Sequence, residues 1–443
     1  MCHAAFLLAG LAALALTLQG CGGGKSGGDT PTPAPTPSKP QPAPPAPMPD
    51  LRPIRAVSYQ PLPCPDYIAG AELPARDMTQ AGYAAQWGKD GRDDLGTIKK
   101  MGGNAVRLYH SFGLESEKDH SDFLDRAEEI GIHVLPGFHT QNLCPSFNCF
   151  DSWKAAALAG FQKGFQRARN WHPAVSMVVL QEEPDHLNFQ GTGPDDCPGG
   201  ATNARCRLKA ALSALDGLLA AEKEAKMVNV SVNITIAWSS ATRNSIDDKF
   251  MNEIGIWGFQ DMKLGTADPQ HAQYVPVTPK EELLKAFQTR WTNSLNSPAP
   301  WKFIQEMIEK KYAPFEPTPW FISGWRTGAM SDQDITSSLQ GMDTSASAGG
   351  SFLGATVYEF QHAYEVANST EGLFKLGNAS LGSTDEVCEE DVRTKHQTCK
   401  KWQGHCLNAS DMPAGAVLSA WGGKLDGFGQ CAAKVKRAEN IVV

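Results

Sequence analysis

The chain alternates short apolar runs of strand type with longer segments of helical periodicity. From Ile54 onward the apolar runs predict eight strands, at Ala56–Tyr59, Ala105–Tyr109, Ile132–Leu135, Val175–Leu180, Val230–Ala237, Ile256–Phe259, Trp320–Ser323 and Gly354–Phe360. Helical patterns separate most of them, and this alternation is typical of a parallel α/β architecture. We therefore predict a (β/α)₈ TIM barrel over residues 51–383. A doubly wound sheet is the alternative, but no GxGxxG pattern opens a helix after an early strand.

Two of the intervening helices carry explicit boundary signals. Thr278-Pro279-Lys280-Glu281 has the pattern of a capping box with proline at the first helical position, and apolar residues follow at helical spacing. Another helix is predicted to end at Met101, because Gly102-Gly103 follows it and the next strand begins at once.

The segment before the barrel is typical of an exported protein. Residues 1–21 form an apolar stretch followed by small residues, which predicts a signal peptide. Leu18-Gln19-Gly20-Cys21 also resembles a bacterial lipobox, with lipid attachment at Cys21 as an alternative, although no Lys or Arg precedes the apolar stretch. Residues 22–50 are rich in Gly, Ser, Thr and Pro and predict an extended linker. We expect a secreted or cell-surface protein.

Composition narrows the class of partner. The 443 residues carry a net charge of −8 with no basic patch, which excludes nucleic acid as the expected partner. We expect a neutral or small partner, and we expect the protein to be a monomer without a cofactor.

Cysteine spacing in an exported chain indicates disulfides. Cys144/Cys149, Cys197/Cys206 and Cys388/Cys399 are close enough to close loops, and no CxxC spacing supports zinc. Residues 384–443 form a short cysteine-containing appendage with little periodicity. Glycosylation sequons occur at Asn229, Asn233, Asn368, Asn378 and Asn408.

Working residues of such a barrel follow the carboxyl ends of its strands. The predicted strand ends carry carboxylates, amides and aromatic residues, which suit the hydroxyls and apolar ring face of a sugar. The residues that we expect to bind substrate are Tyr59, Arg107, Tyr109, Glu182, Gln260, Trp238 and Trp325. Trp257 is a further candidate platform, with burial in the core as the alternative for each tryptophan.

Several motifs resemble those of a known group of glycosidases. Glu183-Pro184 after the fourth strand resembles the Asn-Glu-Pro motif of the retaining-glycosidase clan with barrel folds. The chain is most similar to the fungal-type 1,3-β-glucanosyltransferases. The matching pieces are Ala56-Val57-Ser58-Tyr59-Gln60, Asn104-Ala105-Val106-Arg107-Leu108-Tyr109, Ala127-Glu128-Glu129-Ile130-Gly131-Ile132-His133-Val134, Gly258-Phe259-Gln260, and Gly349-Gly350 followed by Val357-Tyr358-Glu359-Phe360.

The resemblance implies a general acid/base at Glu183 and a β-1,3-glucan or related cell-wall polysaccharide as substrate. The chain departs from the family at three positions. Glu182 stands where the clan has Asn, Met262 falls where a Tyr is expected, and Gly324 occupies the place of the nucleophilic glutamate on the seventh strand.

Retention of configuration needs two carboxyl groups about 5–5.5 Å apart. Because glycine cannot attack, another acid has taken over or the protein binds sugar without cleaving it. Asp261 and Glu359, at the ends of the sixth and eighth predicted strands, are the candidate partners of Glu183. A metal-dependent hydrolase is a second alternative, since His110, His139, His186 and His362 fall near strand ends, but no early HxH pair occurs.

Overall fold

The computed structural model describes most of the chain beyond the predicted linker. The described residues are 48, 50–64, 77–112, 119–138, 143–186, 189, 192–193, 196–197, 203–228, 230–240, 257–328, 330–362, 364, 369–390, 397–424 and 431. Residues 1–47, which contain the predicted signal peptide and nearly all of the predicted linker, lie outside the described part.

Eight parallel strands form a closed barrel, as the sequence predicts. In chain order they are β1 (Ile54–Ser58), β2 (Ala105–Phe112), β3 (His133–Phe138), β4 (Met177–Glu182), β5 (Asn233–Trp238), β6 (Asn293–Ser297), β7 (Trp320–Arg326) and β8 (Phe352–Tyr358). Each strand pairs with its neighbours in the chain, and β8 pairs with β1 to close the barrel, with Ala56 opposite Thr356. The predicted TIM barrel is confirmed.

Helices follow most of the strands. They are α1 (Ala84–Trp87), α2 (Asp94–Lys100), α3 (Ser121–Ile130), α4 (Phe150–Gly160), α5 (Ala204–Glu224), α6 (Trp257–Ala267), α7 (Lys280–Arg290), α8 (Trp301–Met307) and α9 (Asp332–Ser347). Helix α2 ends before Gly102, whose left-handed φ of 92° makes the predicted glycine stop. Helix α7 is confirmed, but its predicted capping box is wrong, because the Thr278 hydroxyl donates to Asp216 instead.

The sixth strand is the one error in the predicted barrel. Ile256–Phe259 is not a strand, since Trp257 begins α6, and the sixth strand is Asn293–Ser297. A short apolar run cannot be told from a buried helical turn by its pattern alone. The true strand can bury polar side chains because these side chains are hydrogen-bonded. Asn293 Nδ2 donates to the Tyr312 hydroxyl at 2.8 Å, and Ser294 Oγ donates to the Ile236 carbonyl at 3.0 Å.

The interior of the barrel changes from apolar to polar along the strands. A small apolar cluster near the strand starts contains Ile54, Ala56, Ala105, Leu135, Met177 and Phe321. A larger core lies between the barrel and its helices. Because the apolar cluster fills the amino-terminal end, polar side chains are left to occupy the carboxyl-terminal mouth.

The carboxyl-terminal appendage is a small set of antiparallel pairs. Strand β9 (Lys375–Ser383) pairs with β12 (Gln403–Asn408), and β10 (Val387–Glu390) pairs with β11 (Gln397–Lys400). A last helix, α10 (Ala414–Trp421), packs against α9. None of the helices in the described part of the chain is both long enough and apolar enough to cross a bilayer.

Disulfides support the predicted pairing. Cys144–Cys149 and Cys197–Cys206 are bonded as predicted. Cys399 is disulfide-bonded, and the register of the β10–β11 pair places Cys388 opposite it. The structure adds Cys406–Cys431, which ties the end of β12 to the chain beyond α10.

Candidate functional site

The mouth of the barrel contains an ion pair between two residues of the predicted site, Arg107 on β2 and Glu182 on β4. Arg107 on β2 is buried, and its Nη2 forms an ion pair with Glu182 at the end of β4. Its Nη1 donates to the Tyr109 hydroxyl at 3.2 Å and to the Ser323 carbonyl on β7. Burial is the largest single influence and lowers the pKa of Arg107, but Glu182, Tyr109 and Glu183 together raise the pKa above its ordinary value, so the guanidinium stays charged.

Glu182 and Glu183 point to the same place although they are adjacent in the chain. Gln181 Nε2 donates to the Ala210 carbonyl on α5 at 3.4 Å, so the Gln181 side chain points out of the barrel. Because successive side chains on a strand point to opposite faces, Glu182 points into the barrel. Glu183 would then face outward, but its left-handed φ of 42° turns its carboxylate back. Strand alternation alone would place the two side chains on opposite faces, so the turn at Glu183 is what brings the carboxylates together. A non-glycine residue in this conformation is strained, and such strain concentrates at functional sites.

The side chain amide of Asn296, on β6, holds both carboxylates. Its Nδ2 donates to Glu182 Oε1 at 2.5 Å and to Glu183 Oε1 at 2.9 Å. Its Oδ1 accepts from the Ser323 hydroxyl at 2.9 Å and from Arg107 Nη1 at 3.4 Å. Burial raises the pKa of Glu182, and Arg107 and Asn296 oppose that rise by stabilising the carboxylate.

The turn that carries Glu183 is fixed from several sides. The Glu183 amide donates to the Ala237 carbonyl on β5 at 2.6 Å. Arg207 Nη1 donates to the Pro184 carbonyl at 2.7 Å, and the buried Asp185 carboxylate accepts from the Ser239 amide and hydroxyl. Glu183 is therefore rigidly placed, as a catalytic or binding carboxylate must be.

Glu183 lines an open cavity of about 270 Å³, which we call the mouth cavity. Its lining residues are Glu183, His186, Ser239, Ser240, Asn296, Ser297, Pro298, Gly324 and Arg326. They come from the ends of β4, β5, β6 and β7, so the structure brings together residues more than a hundred positions apart. The cavity offers a carboxylate, an amide, hydroxyls and a guanidinium to a ligand.

Gly324 lies against the amide of Asn296. A Cβ at residue 324 would stand 2.7 Å from Asn296 Oδ1 and 3.4 Å from Arg107 Nη1. The place where a side chain at 324 would begin is therefore occupied by the network that holds Glu182 and Glu183.

This contact makes a prediction about stability. Gly324→Ala is expected to lower the free energy of unfolding by about 1–3 kcal/mol, because the added methyl overpacks the mouth. Chemical denaturation of the purified protein would measure it. Gly350→Ala is the matched control, since a Cβ there meets nothing within 4 Å. Equal stability of the two variants would contradict the close contact.

The predicted aromatic platforms are wrong for two tryptophans of the predicted site. Trp238 is 1% exposed and packs edge to face with Trp257, which is itself buried. Trp325 is 0% exposed, and its Nε1 donates to the Ala299 carbonyl at 2.8 Å. The ring faces of Trp238, Trp257 and Trp325 are covered by protein, so all three belong to the core rather than to an exposed platform.

Three more predicted residues lie away from the mouth cavity. The Tyr59 hydroxyl donates to buried Asp94 on α2 at 3.0 Å, because Tyr59 points out of the barrel. Gln260 and Asp261 are buried in α6, together with Met262, since the run that carries them is a helix rather than the sixth strand. The placement of Asp261 at a strand end is therefore wrong, and with it the reason for pairing Asp261 with Glu183.

Glu359 directly follows β8, as predicted, and is buried. Burial is the main cause that raises the pKa of the Tyr109 phenol. The charges of Glu182 and Glu359 raise this pKa further. Tyr109 also packs edge to face on Tyr358. Glu359 thus belongs to the electrostatic surroundings of the mouth.

Sequence reasoning missed Asn296, which contacts more of the site than any predicted residue except Arg107. The sequence did contain a signal for the strand that carries Asn296. Asn293–Ser297 follows a well-marked helix, where a barrel requires a strand, but its polar composition hid it.

The metal-dependent alternative finds no support in the described part of the chain. Of the four histidines on which it rests, His139 and the side chain of His110 lie outside the described residues. His186 lines the mouth cavity, whereas His362 lines a different one. The described cluster with metal-ligand spacing is elsewhere, at Asp125, Glu128 and His172. Arg167 forms ion pairs with both of its carboxylates, so this cluster is a salt-bridge network.

Comparison with known proteins gives matches in solved structures. No protein-family model matches the chain, and no curated protein sequence matches it. Gas2p of Saccharomyces cerevisiae in complex with laminaripentaose matches with a TM-score of 0.48 and 12% identity, over 83% of this chain and 64% of that one. Gas2p in complex with laminaritriose and laminaritetraose matches with a TM-score of 0.46, at 12% identity and the same coverage.

The chain spans slightly less than two thirds of the length of these solved proteins.

Proposed function

We propose that this protein is a glycoside hydrolase or transglycosylase that acts on β-1,3-glucan or a related cell-wall polysaccharide, with Glu183 as its general acid/base. The observation that carries the proposal is the position of Glu183, which lines the mouth cavity and is held by Asn296 at 2.9 Å. A general acid must face the substrate and reach its glycosidic oxygen.

The two adjacent carboxylates have different tasks in this proposal. Glu182 is engaged by Arg107 and Asn296, so it organises the network and contacts substrate hydroxyls at most through its remaining lone pairs. Within the described part of the chain, the Glu183 carboxylate accepts a side-chain hydrogen bond from Asn296 alone, and it faces the cavity, which leaves it available to a sugar oxygen. Arg107 holds Glu182 in place and itself donates to the Tyr109 hydroxyl.

Glu359 is the proposed partner of Glu183 for cleavage. It follows β8 at the mouth, and its charge acts on Tyr109 together with that of Glu182. If Glu359 is the nucleophile, a mechanism-based fluorosugar will label the peptide that contains it, because the covalent glycosyl-enzyme intermediate forms on that carboxylate. Mass spectrometry of a digest would locate the label. A label on Glu182 would contradict this assignment.

A second candidate function is sugar binding without cleavage. It is favoured by the contact at Gly324, where the position that resembles the nucleophile's is a glycine packed against Asn296. In that case the mouth binds β-1,3-glucan, and Glu183 accepts a hydrogen bond from a sugar hydroxyl instead of donating a proton.

Binding at the mouth is tested by titration calorimetry with laminaripentaose. Ser240→Trp places a large side chain in the mouth cavity from its half-buried rim and is expected to remove binding there. Ser337→Trp, on the exposed face of α9, is the matched control. Binding that is equally strong in all three proteins would contradict both candidate functions.

The proposed site of action is outside the cytoplasm. The Cys144–Cys149, Cys197–Cys206 and Cys406–Cys431 disulfides fit an oxidising compartment. Together with the predicted signal peptide, they support a secreted or cell-surface protein that meets polysaccharide directly.

A further inference from the structure

A second, larger cavity lies beside the mouth cavity. It has a volume of about 680 Å³, within the roughly 300–1,000 Å³ of small-molecule sites, and separates the end of β7 from the carboxyl-terminal appendage. The residues that matter to its chemistry are Thr327, Asp332, His362, Lys375, Asp411 and Met412. Consecutive residues join the two cavities, because Arg326 lines the mouth cavity and Thr327 lines this one.

Thr327 is buried at this cavity with its hydroxyl unsatisfied. The residue is 1% exposed, and among the described residues its Oγ1 has no hydrogen-bond partner. Its position is nevertheless fixed, since the Thr327 and Gly328 amides donate to the Glu371 carboxylate at 3.2 and 3.1 Å. A buried hydroxyl without a partner is unfavourable, and such groups are rare in folded proteins unless they serve a ligand or water.

The remaining lining indicates a neutral ligand with several hydroxyls. Lys375 supplies a cation, and Asp332 and Asp411 supply carboxylates, so the lining mixes both signs of charge with one more carboxylate than cation, which disfavours an anionic ligand. His362 Nδ1 donates to the Glu371 carbonyl at 3.1 Å, which leaves Nε2 as an acceptor in the neutral ring. Donors and acceptors of this variety, beside apolar Met412, match the hydroxyls and carbon faces of a sugar.

We propose that this cavity is a second saccharide-binding site, in which Thr327 hydrogen-bonds a sugar hydroxyl. The site takes a neutral saccharide of the class proposed for the mouth, so the choice of ligand rests on the proposed function. Two adjacent sites joined at residues 326 and 327 hold separate segments of one polysaccharide chain or two separate chains.

The test is a calorimetric titration of the full chain with laminaripentaose. Thr327→Val removes the hydroxyl with little change of shape and is expected to weaken one of two binding events by about 2- to 10-fold, the effect of one hydrogen bond. Met412→Trp, which fills the cavity from its other wall, should abolish that event. The matched control is Thr356→Val, because Thr356 on β8 is also buried with an unpartnered hydroxyl among the described residues but does not line the cavity.

Unfolding temperatures separate binding from folding. Both Thr→Val variants are expected to melt at or above the temperature of the wild type, since each replaces an unpaired buried hydroxyl by a methyl group. A fall in affinity in Thr327→Val alone then reports the site. If Thr356→Val weakens binding equally, the assignment to this cavity is overturned.

Two further outcomes distinguish this inference from the proposed function. One binding event that Ser240→Trp abolishes and Met412→Trp leaves intact overturns the second site and leaves the mouth site standing. One binding event that Met412→Trp abolishes and Ser240→Trp leaves intact supports the second site and overturns the mouth site. Absence of any laminaripentaose binding, or binding of inorganic phosphate that Met412→Trp abolishes, overturns the saccharide assignment.

Discussion

Glu183→Gln is expected to reduce the release of reducing ends from laminarin by about 10²–10⁴-fold, the usual contribution of a general acid or base. Glutamine keeps the size of the side chain, and its carbonyl can still accept the Asn296 bond, but it has no acidic proton to give to the leaving oxygen. A reducing-sugar assay on the purified variant measures the loss.

The matched control for this variant is Glu282→Gln on α7, a half-exposed glutamate remote from the mouth, which should retain full activity. Turnover that survives in Glu183→Gln would rule out Glu183 as the acid. A wild type that binds laminaripentaose at the mouth but releases no reducing ends would establish the binding-only candidate, which the contact at Gly324 favours.

Arg107→Met is expected to lower the free energy of unfolding by about 2–4 kcal/mol. Removing one partner of a buried ion pair leaves the other charge uncompensated, which costs about 3–5 kcal/mol when both are fully buried. The expected value is lower because the Glu182 side chain is 34% exposed, whereas Arg107 is 1% exposed. Denaturant titration measures the change.

A second variant identifies the source of that loss. In Arg107→Met/Glu182→Gln the unpaired carboxylate is gone, so a large part of the lost stability should return. Arg107→Lys keeps the charge but cannot contact Glu182, Tyr109 and Ser323 at once, so it should fall between wild type and Arg107→Met. Failure of the double variant to recover any stability would contradict the role assigned to the pair.

The barrel could be predicted because its apolar strands and signalled helices follow simple periodicities. The single misplaced strand shows where this reasoning stops. Residues 257–259 are an apolar run buried in a helix, and Asn293–Ser297 is a mostly polar run in the barrel. Burial of polar side chains depends on hydrogen bonds between distant residues, such as Asn293 with Tyr312, and no local pattern encodes those.

The candidate site likewise contains residues that the sequence predicts and features that it does not. Strand ends identified Arg107, Tyr109 and Glu183, because the carboxyl ends of parallel strands meet at one mouth. The inward turn of Glu183 could not be predicted, since it depends on a left-handed backbone that its sequence does not demand. The burial of Trp238 and Trp325 was equally hidden, because large aromatic residues suit both a core and a sugar platform.

The central claim is that a glycan lies in the mouth cavity against Glu183. A crystal structure of Glu183→Gln with laminaripentaose tests it most directly, since this variant is expected to bind the oligosaccharide without cleaving it. The account predicts a glycosidic oxygen about 2.6–3.2 Å from the residue 183 side chain, with sugar hydroxyls near Asn296. An oligosaccharide bound away from the mouth, with the residue 183 side chain in contact only with Asn296, would contradict it.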